Sequence, residues 1–216
     1  MTTSLRTLTH ESLRHGAQAL AARDAQLAEI HDRLGAPPLW GRRPGFATLV
    51  RIILEQQVSI LAARTLYRRL HAQLGGMDPQ RVVAMREHGL RRFGLTRQKA
   101  RYCHGLAERV MDGRLDLGAA ARGPDEDGRR SLLAVPGLGP WSVDVYYLMA
   151  LRRPDVWPTG DLALAVALRE VKRLRRVPSR DEQQALSAAW APWRAVAARL
   201  LWAHYLDARG QYSPPS

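Results

Sequence analysis

The chain has 216 residues, 46% of them apolar and 25% charged, with a formal net charge of +13 and one cysteine, Cys103. That length and balance suit one large globular domain or two small ones rather than a disordered chain. A single cysteine excludes a disulfide framework, a four-thiolate zinc site and a cysteine-ligated iron–sulfur cluster, and the histidines show no HExxH or paired ligand spacing. All the basic residues except Lys99 and Lys172 are arginines. Charge of this size points to a densely anionic partner, nucleic acid before a membrane surface; the plain alternative is an Arg- and Ala-rich composition with no such partner. No apolar run is long enough to span a bilayer, and MTTSLRTLTHESLRHGAQAL lacks the continuous apolar segment of a secretory signal. An intracellular, cytoplasmic protein is expected.

Along the chain, Leu13, Ala17, Leu20, Leu27, Ile30 and Leu34 recur at three- and four-residue steps. The pattern is interrupted near Asp24 and closed by Gly35 and the Pro37-Pro38 pair, which predicts one or two amphipathic helices over 12–34. From Phe46 to Leu70 the same step runs through Leu49, Ile52, Ile53, Ile60, Ala63 and Leu66, but its phase breaks at Gln56-Gln57-Val58-Ser59. Two helices joined by a glutamine-bearing corner are predicted, with Ser59 as the second N-cap. Further helices are predicted over 79–87, 97–112, 128–134, 140–151, 162–174, 180–189 and 192–208. Strand-like alternation is scarce, so the fold class is all-α. DLGAAARGPDEDGRR, 116–130, is polar and glycine-punctuated and predicts a surface loop. There is no internal repeat, and the terminal PPS is expected to fray.

Two short glycine turns, PGLG at 136–139 and PTGD at 158–161, flank the apolar helix that starts at Pro140. The first puts the amides of Gly137 and Gly139 at a bend beside a helix N-terminus, an anion-binding arrangement that a phosphate could approach closely. The bland alternative is a helix–turn–helix corner in which Gly137 only supplies a positive φ. A helix from Pro140 to Leu151 rises roughly 18 Å, and the residues from Arg152 to Gly160 could span about 30 Å. The chain can therefore return Asp161 to the phosphate-binding end. Asp161 also reads as an ordinary N-cap for a helix starting at Leu162, and both roles can coexist because a helix N-terminus favours a negative charge. Of its neighbours, Asp144 reads as a solvated helix-face residue and Asp155 as a turn residue.

Leu132 to Leu164 resembles the helix–hairpin–helix and catalytic-aspartate signature of the DNA glycosylase superfamily that contains endonuclease III and the alkylation-repair enzymes. LVRIILEQQVSILAARTL, 49–66, and PWRAVAARLLW, 192–202, resemble segments of its 3-methyladenine DNA glycosylase II branch. The resemblance implies N-terminal helices at 1–42 that join the C-terminal lobe, a helical barrel-like bundle at 43–150, and a C-terminal lobe at 151–216. A cleft between the lobes would receive a base extruded from double-stranded DNA. Asp161 takes the catalytic aspartate's position, while Pro136, Gly137, Leu138 and Gly139 would hold the backbone and could coordinate a monovalent cation, Na or K. Gln57 falls where the family places a wedge that fills the gap left by the flipped nucleotide; it could instead be a buried, hydrogen-bonding corner residue.

Bifunctional relatives carry a lysine two residues after the last hairpin glycine, where this chain has Trp141. The resemblance therefore implies a monofunctional enzyme that hydrolyses the N-glycosidic bond and starts base excision repair, as a monomer and without an organic cofactor. The four-cysteine cluster of the endonuclease III branch is missing, so no iron–sulfur cluster is expected. Trp141 and Trp202 match positions of base-pocket tryptophans in alkylation-repair members, and Tyr146 or Tyr147 could add a wall. An indole face favours an electron-poor, positively charged ring such as an N-alkylated purine. The alternative for both tryptophans is a core anchor, the role expected of Trp157, Trp190 and Trp193. A non-catalytic helix–hairpin–helix DNA-binding module, and a glycosylase for other lesions, remain as rival readings.

Overall fold

The computed structural model describes residues 6–212; the terminal PPS lies outside them. Among the described residues the secondary structure is helical, with no strand. In chain order the helices are α1 (His10–Ala21), α2 (Ala25–Leu34), α3 (Phe46–Glu55), α4 (Ile60–Leu74), α5 (Pro79–Arg92) and α6 (Arg97–Met111). They continue with α7 (Leu117–Arg122), α8 (Asp125–Leu133), α9 (Pro140–Met149), α10 (Leu162–Val171), α11 (Arg180–Ala188) and α12 (Arg194–Asp207). Two compact units divide them, one of residues 42–146 and one of residues 1–41 with 147–216.

Local signals explain most helix starts. Thr9, Asp24, Ser59, Asp78, Thr96, Asp116, Asp161 and Ser179 each precede a helix and accept a hydrogen bond from a backbone N–H of its first turn. Each such cap contributes about 1 kcal/mol. The break near Asp24 is therefore a boundary between two helices, since Asp24 caps α2. The predicted loop at 116–130 is largely helical instead: Asp116 caps a short alanine-rich α7, and Asp125, Glu126 and Asp127 place negative charge in the first turn of α8. The helix predicted over 79–87 continues to Arg92 across a kink at Arg86, whose φ is +56°.

In the unit of residues 42–146, α5 packs on α6, α3 on α4 and α6, and α7 on α8. Leu49, Ile52, Ile53, Leu54, Leu70, Val82, Leu90, Leu106 and Leu132 are fully buried there. Cys103 is buried with them, and desolvation pushes its thiol up to about 12, so it is inert at neutral pH. Asp144 is not the solvated residue expected from its position. It is 8% exposed and accepts from Arg129 of α8 at 2.6 Å, so a neighbouring guanidinium stands where solvent was expected.

The other unit is built around α12, which packs on α1, α2 and α10. Ala195 to Leu201 are all buried, as an apolar stretch must be when neighbours surround it. Arg199 lies within that stretch at 0% exposure and donates to the carbonyls of Trp40 at 2.8 Å and Leu148 at 3.0 Å. Burial and the nearby charge of Arg152 pull its guanidinium down to about 9, which still leaves it charged at neutral pH. Trp157 and Trp190 are core residues with ring centroids 5.5 Å apart. Trp193 lies so close to α1 that a Cβ on Gly16 would sit 2.7 Å from its ring. Asp155, expected only to make a turn, also clamps the start of α12 by accepting from Arg194 Nε at 2.7 Å and Nη2 at 2.9 Å.

Asp24 joins three segments of this unit. Its carboxylate accepts from Leu27 N at 3.2 Å, Lys172 Nζ at 2.7 Å and Trp190 Nε1 at 2.8 Å. Burial alone would raise its pKa, but the bonds from Lys172, Trp190 and Leu27 outweigh desolvation and hold the carboxyl below the usual range. A folded-state pKa below the unfolded value contributes stability above the ordinary carboxylate pKa, and loses it as pH falls through the lowered value. Asp24→Asn should therefore cost roughly 2–3 kcal/mol at pH 7, somewhat under the loss for a fully buried pair. Denaturant unfolding at pH 7 and pH 2.5 would check this: the gap between variant and wild type should narrow at the lower pH, and a constant gap would contradict the ion-pair account.

Candidate functional site

The first glycine turn joins α8 to α9. Its chain reverses through a bond from Leu138 N to the carbonyl of Val135 at 3.0 Å, and Gly139 offers its carbonyl to Val143 N at 3.1 Å as the first bond of α9. Leu138 is buried and anchors the turn, while Pro136, Gly139 and Pro140 are exposed. The two glycines serve different ends. Gly137 has φ +93° and packs against Tyr102 of α6 so closely that an added Cβ would overlap its ring. Nothing lies within 4 Å of a Cβ built on Gly139. Close approach from outside is thus open at Gly139, whereas Gly137 is demanded by the protein's own packing.

The corner between α3 and α4 meets this hairpin through Gln56. Gln56 Nε2 donates to the carbonyl of Gly137 at 2.8 Å and to Ser142 Oγ at 2.9 Å. Its own carbonyl, with that of Leu54, accepts from Lys99 Nζ at 2.9 and 2.7 Å. The hydrogen-bonding corner residue is therefore Gln56. Gln57 is exposed, with a φ of +56° that is uncommon for a residue with a side chain, and Val58, Ile60 and Leu61 beside it are large exposed apolar side chains. A phase break in the sequence locates the corner but cannot tell which glutamine turns inward.

The second turn, in the other unit, closes with Asp161 N donating to the carbonyl of Pro158 at 3.1 Å, and Gly160 supplies the positive φ of +87° at its third position. The buried Gln183 of α11 accepts from Gly160 N at 3.4 Å, and Gln184 accepts from Thr159 Oγ1 at 2.9 Å. These supports could not be read from the sequence, because nothing in residues 180–189 marks which side chains face the turn. Asp161 caps α10 by accepting from Leu164 N at 3.0 Å, and the same oxygen, Oδ1, accepts from Trp202 Nε1 at 3.2 Å. Both bonds fix the carboxylate's orientation, and the group remains partly exposed.

The predicted aromatics divide. Trp202 is partly exposed and reaches Asp161 through its N–H, a contact the sequence did not suggest. Trp141, on the first turn of α9, is partly exposed. Tyr146 departs from the expected pocket wall: it is 1% exposed, and its hydroxyl accepts from Gly45 N at 2.9 Å. Burial pushes that phenol up. Tyr147 is equally interior. Both lysines are committed elsewhere, Lys99 to the corner and Lys172 to Asp24 and Gln26. Among the described residues no three His, Cys, Asp or Glu side chains converge as a metal site.

A capped, tryptophan-tethered aspartate after one glycine turn, and a second glycine turn built as a hairpin between helices, define a class of DNA repair protein. The HhH-GPD superfamily of base excision DNA repair proteins matches residues 50–195, and the chain belongs to it. It is similar to DNA-3-methyladenine glycosylase 2 of Escherichia coli, with 29% identity over 188 residues, 79% of this chain and 62% of that one. Among solved structures it resembles a DNA-3-methyladenine glycosidase of Bacillus halodurans, with a TM-score of 0.76, 26% identity and coverage of 96% and 94% of the two chains. A 3-methyladenine DNA glycosylase of Schizosaccharomyces pombe in complex with abasic DNA shares the fold, with a TM-score of 0.77 at 24% identity and coverage of 87% and 95%. The chain spans less than two thirds of the length of several curated relatives, 64% of one and 42% of another.

Gly137→Ala tests the hairpin's packing. The positive φ and the overlap with Tyr102 both oppose a side chain, so the variant should lose about 2–4 kcal/mol. Gly139→Ala should lose less than about 1 kcal/mol, since its Cβ meets nothing. Thermal or denaturant unfolding of the two variants measures the difference, and equal losses would remove the distinction between these glycines.

Proposed function

We propose that this protein is a monofunctional DNA glycosylase that extrudes an alkylated, 3-methyladenine-type purine from duplex DNA and hydrolyses its N-glycosidic bond. The observation that carries the reading is Asp161: a carboxylate held at a helix N-terminus and oriented by the indole N–H of Trp202, on the residue that the sequence resemblance matches to the family's catalytic aspartate. Family membership and the alkylation-repair names of its relatives support the same reaction class.

An alkylated purine already carries positive charge, so it can depart without a general acid. The C1′–N bond breaks, its electron pair neutralises the base, and the sugar develops oxocarbenium character. Asp161 would stabilise that cation electrostatically; water adds its oxygen to C1′ and loses a proton, which the carboxylate is placed to accept. Trp202 acts as a positioning residue through the Oδ1 bond, and the resemblance assigns Trp141 to the recognition of a cationic ring. The hairpin backbone and the chain's arginines supply contacts to phosphates. A monovalent cation at the hairpin belongs to the same proposal. Neutral carbonyl oxygens suit such an ion, and those of Pro136, Gly137, Leu138 and Gly139 would hold it. When bound, it would offset phosphate charge.

Asp161→Asn separates catalysis from binding. Asn caps a helix nearly as well as Asp, so folding and duplex affinity should persist. Single-turnover release of 3-methyladenine from alkylated DNA should fall by roughly 10² or more, the size of losing one preorganised electrostatic partner. Equal release by variant and wild type would reduce Asp161 to a cap. If wild type released no base, the non-catalytic binding module would be the better reading, and release from other lesions alone would shift the substrate.

The lysine contacts give a second test. With Trp141 at the lyase position and both lysines bonded to interior acceptors, borohydride should trap no covalent protein–DNA complex. Strand breaks should appear only after alkali or heat opens the abasic site. Efficient trapping on a gel would mean that some other amine attacks C1′.

A further inference from the structure

Gln56 lies outside the reaction just described, yet its side-chain nitrogen and its main-chain carbonyl are both engaged beside the hairpin. Its side-chain nitrogen carries two hydrogens, and both have acceptors, the carbonyl of Gly137 at 2.8 Å and Ser142 Oγ at 2.9 Å. A carbonyl can only accept, so the orientation of the amide is fixed. The main chain of the same residue is held from the other side by Lys99, whose Nζ bonds the Gln56 carbonyl at 2.9 Å. One helical turn along α6 from Lys99 stands Tyr102, the ring that presses on Gly137. Helix α6 thus supports both the corner and the hairpin, and Gln56 closes the third side between them.

The next residue in the chain is Gln57, exposed and in a left-handed conformation at φ +56°. A side-chain-bearing residue stays there only when its surroundings hold it. Its preceding peptide is fixed by Lys99, and the side chain before it is fixed by the hairpin.

We propose that Gln56 is a positioning residue that locks the α3–α4 corner to the hairpin, so that the side chain at 57 and the hairpin backbone meet a duplex as one preset element. The lock is a property of the fold; its consequence for base release rests on the glycosylase reading. A wedge that must enter the base stack at a set distance from the gripped phosphates gains from such preorganisation, because the spacing need not be found anew at each encounter.

Two measurements on the full chain decide the matter. In amide hydrogen exchange, Gln56→Ala should speed exchange at residues 57–60 and at 137–139 together, by roughly three- to tenfold, the size of one or two lost hydrogen bonds. Gln56→Glu, equal in size but without the two donors, should do the same. If only one of the two segments loosens, or neither does, the lock is overturned. Should Gln56→Ala fold poorly, Ser142→Ala removes one acceptor and should loosen both segments in the same direction by less.

The second measurement is a double-mutant cycle of single-turnover base release from alkylated duplex, using Gln56→Ala, Gln57→Ala and the pair. If Gln56 acts through the corner, the pair should be no more than about threefold slower than the slower single variant. Effects that multiply would overturn the coupling in function. A wild type that releases no base would remove the glycosylase reading, while the exchange result would still decide the lock.

Discussion

The last carbonyls of a helix have no partner within it, and at the end of α3 this falls at a half-buried corner. Lys99 answers two of them, those of Leu54 and Gln56, with one ammonium. Burial lowers its pKa, yet the point charge with three rotatable donors suits converging carbonyls better than a planar guanidinium would. From that contact the rest of the candidate DNA-facing machinery in residues 42–146 follows. Gln56 is set, so it can hold Gly137; Gly137 must then lack a side chain, because Tyr102 from the same helix as Lys99 fills the space. A glycine read as room for a phosphate turns out to be room for a tyrosine, and the opening toward solvent moves two residues on, to Gly139.

In the other unit the same logic applies to a carboxylate. Capping needs only one oxygen of Asp161, and Trp202 bonds that same oxygen, so cap and tether reinforce one orientation. A type of turn that requires glycine at Gly160 delivers the residue there, and Gln183, 3% exposed, reaches back to bond the amide before it. Helix capping is worth about 1 kcal/mol, too little to explain why α11, the helix after the one being capped, should contribute a buried glutamine to the turn. A carboxylate whose direction matters gives that support a reason.

How much of this was legible in the sequence depended on whether the signal was local. Caps are local: Ser59 and Asp161 could be read from residue type and position alone, while the interruption near Asp24 left one helix or two open. Periodicity fixed the helices but not their ends, and glycine and acidic residues at 116–130 suggested a loop where Asp116 and the acidic triplet at 125–127 act as start signals for two short helices. Asp144 reads as solvated because the polar residue sits on an apolar helix without a visible partner; the partner, Arg129, lies fifteen residues earlier, where the predicted loop at 116–130 overlaps the predicted helix at 128–134. Tyr146, Gln56 and Trp202 fail or surprise for one shared reason. Which way a side chain points from a helix is decided by the neighbour it packs against, and a single sequence does not name that neighbour.

Lysine usage follows from the same distinction between charges that bind and charges that position. A guanidinium stays protonated and forks onto phosphate, so arginine can carry the surface charge of a nucleic-acid-binding chain without offering a nucleophile. Lysine is different, since a desolvated amine becomes a nucleophile able to attack a sugar carbon. This chain has two, and each is spent inside a unit: Lys99 on carbonyls of the corner and Lys172 on Asp24 beneath Trp190. At the hairpin exit, where a lysine would face the sugar in a strand-cleaving relative, stands the indole of Trp141. On the glycosylase reading, a chain so rich in arginine and so sparing of lysine would keep the electrostatics of DNA binding while withholding an amine that could carry the reaction past base release.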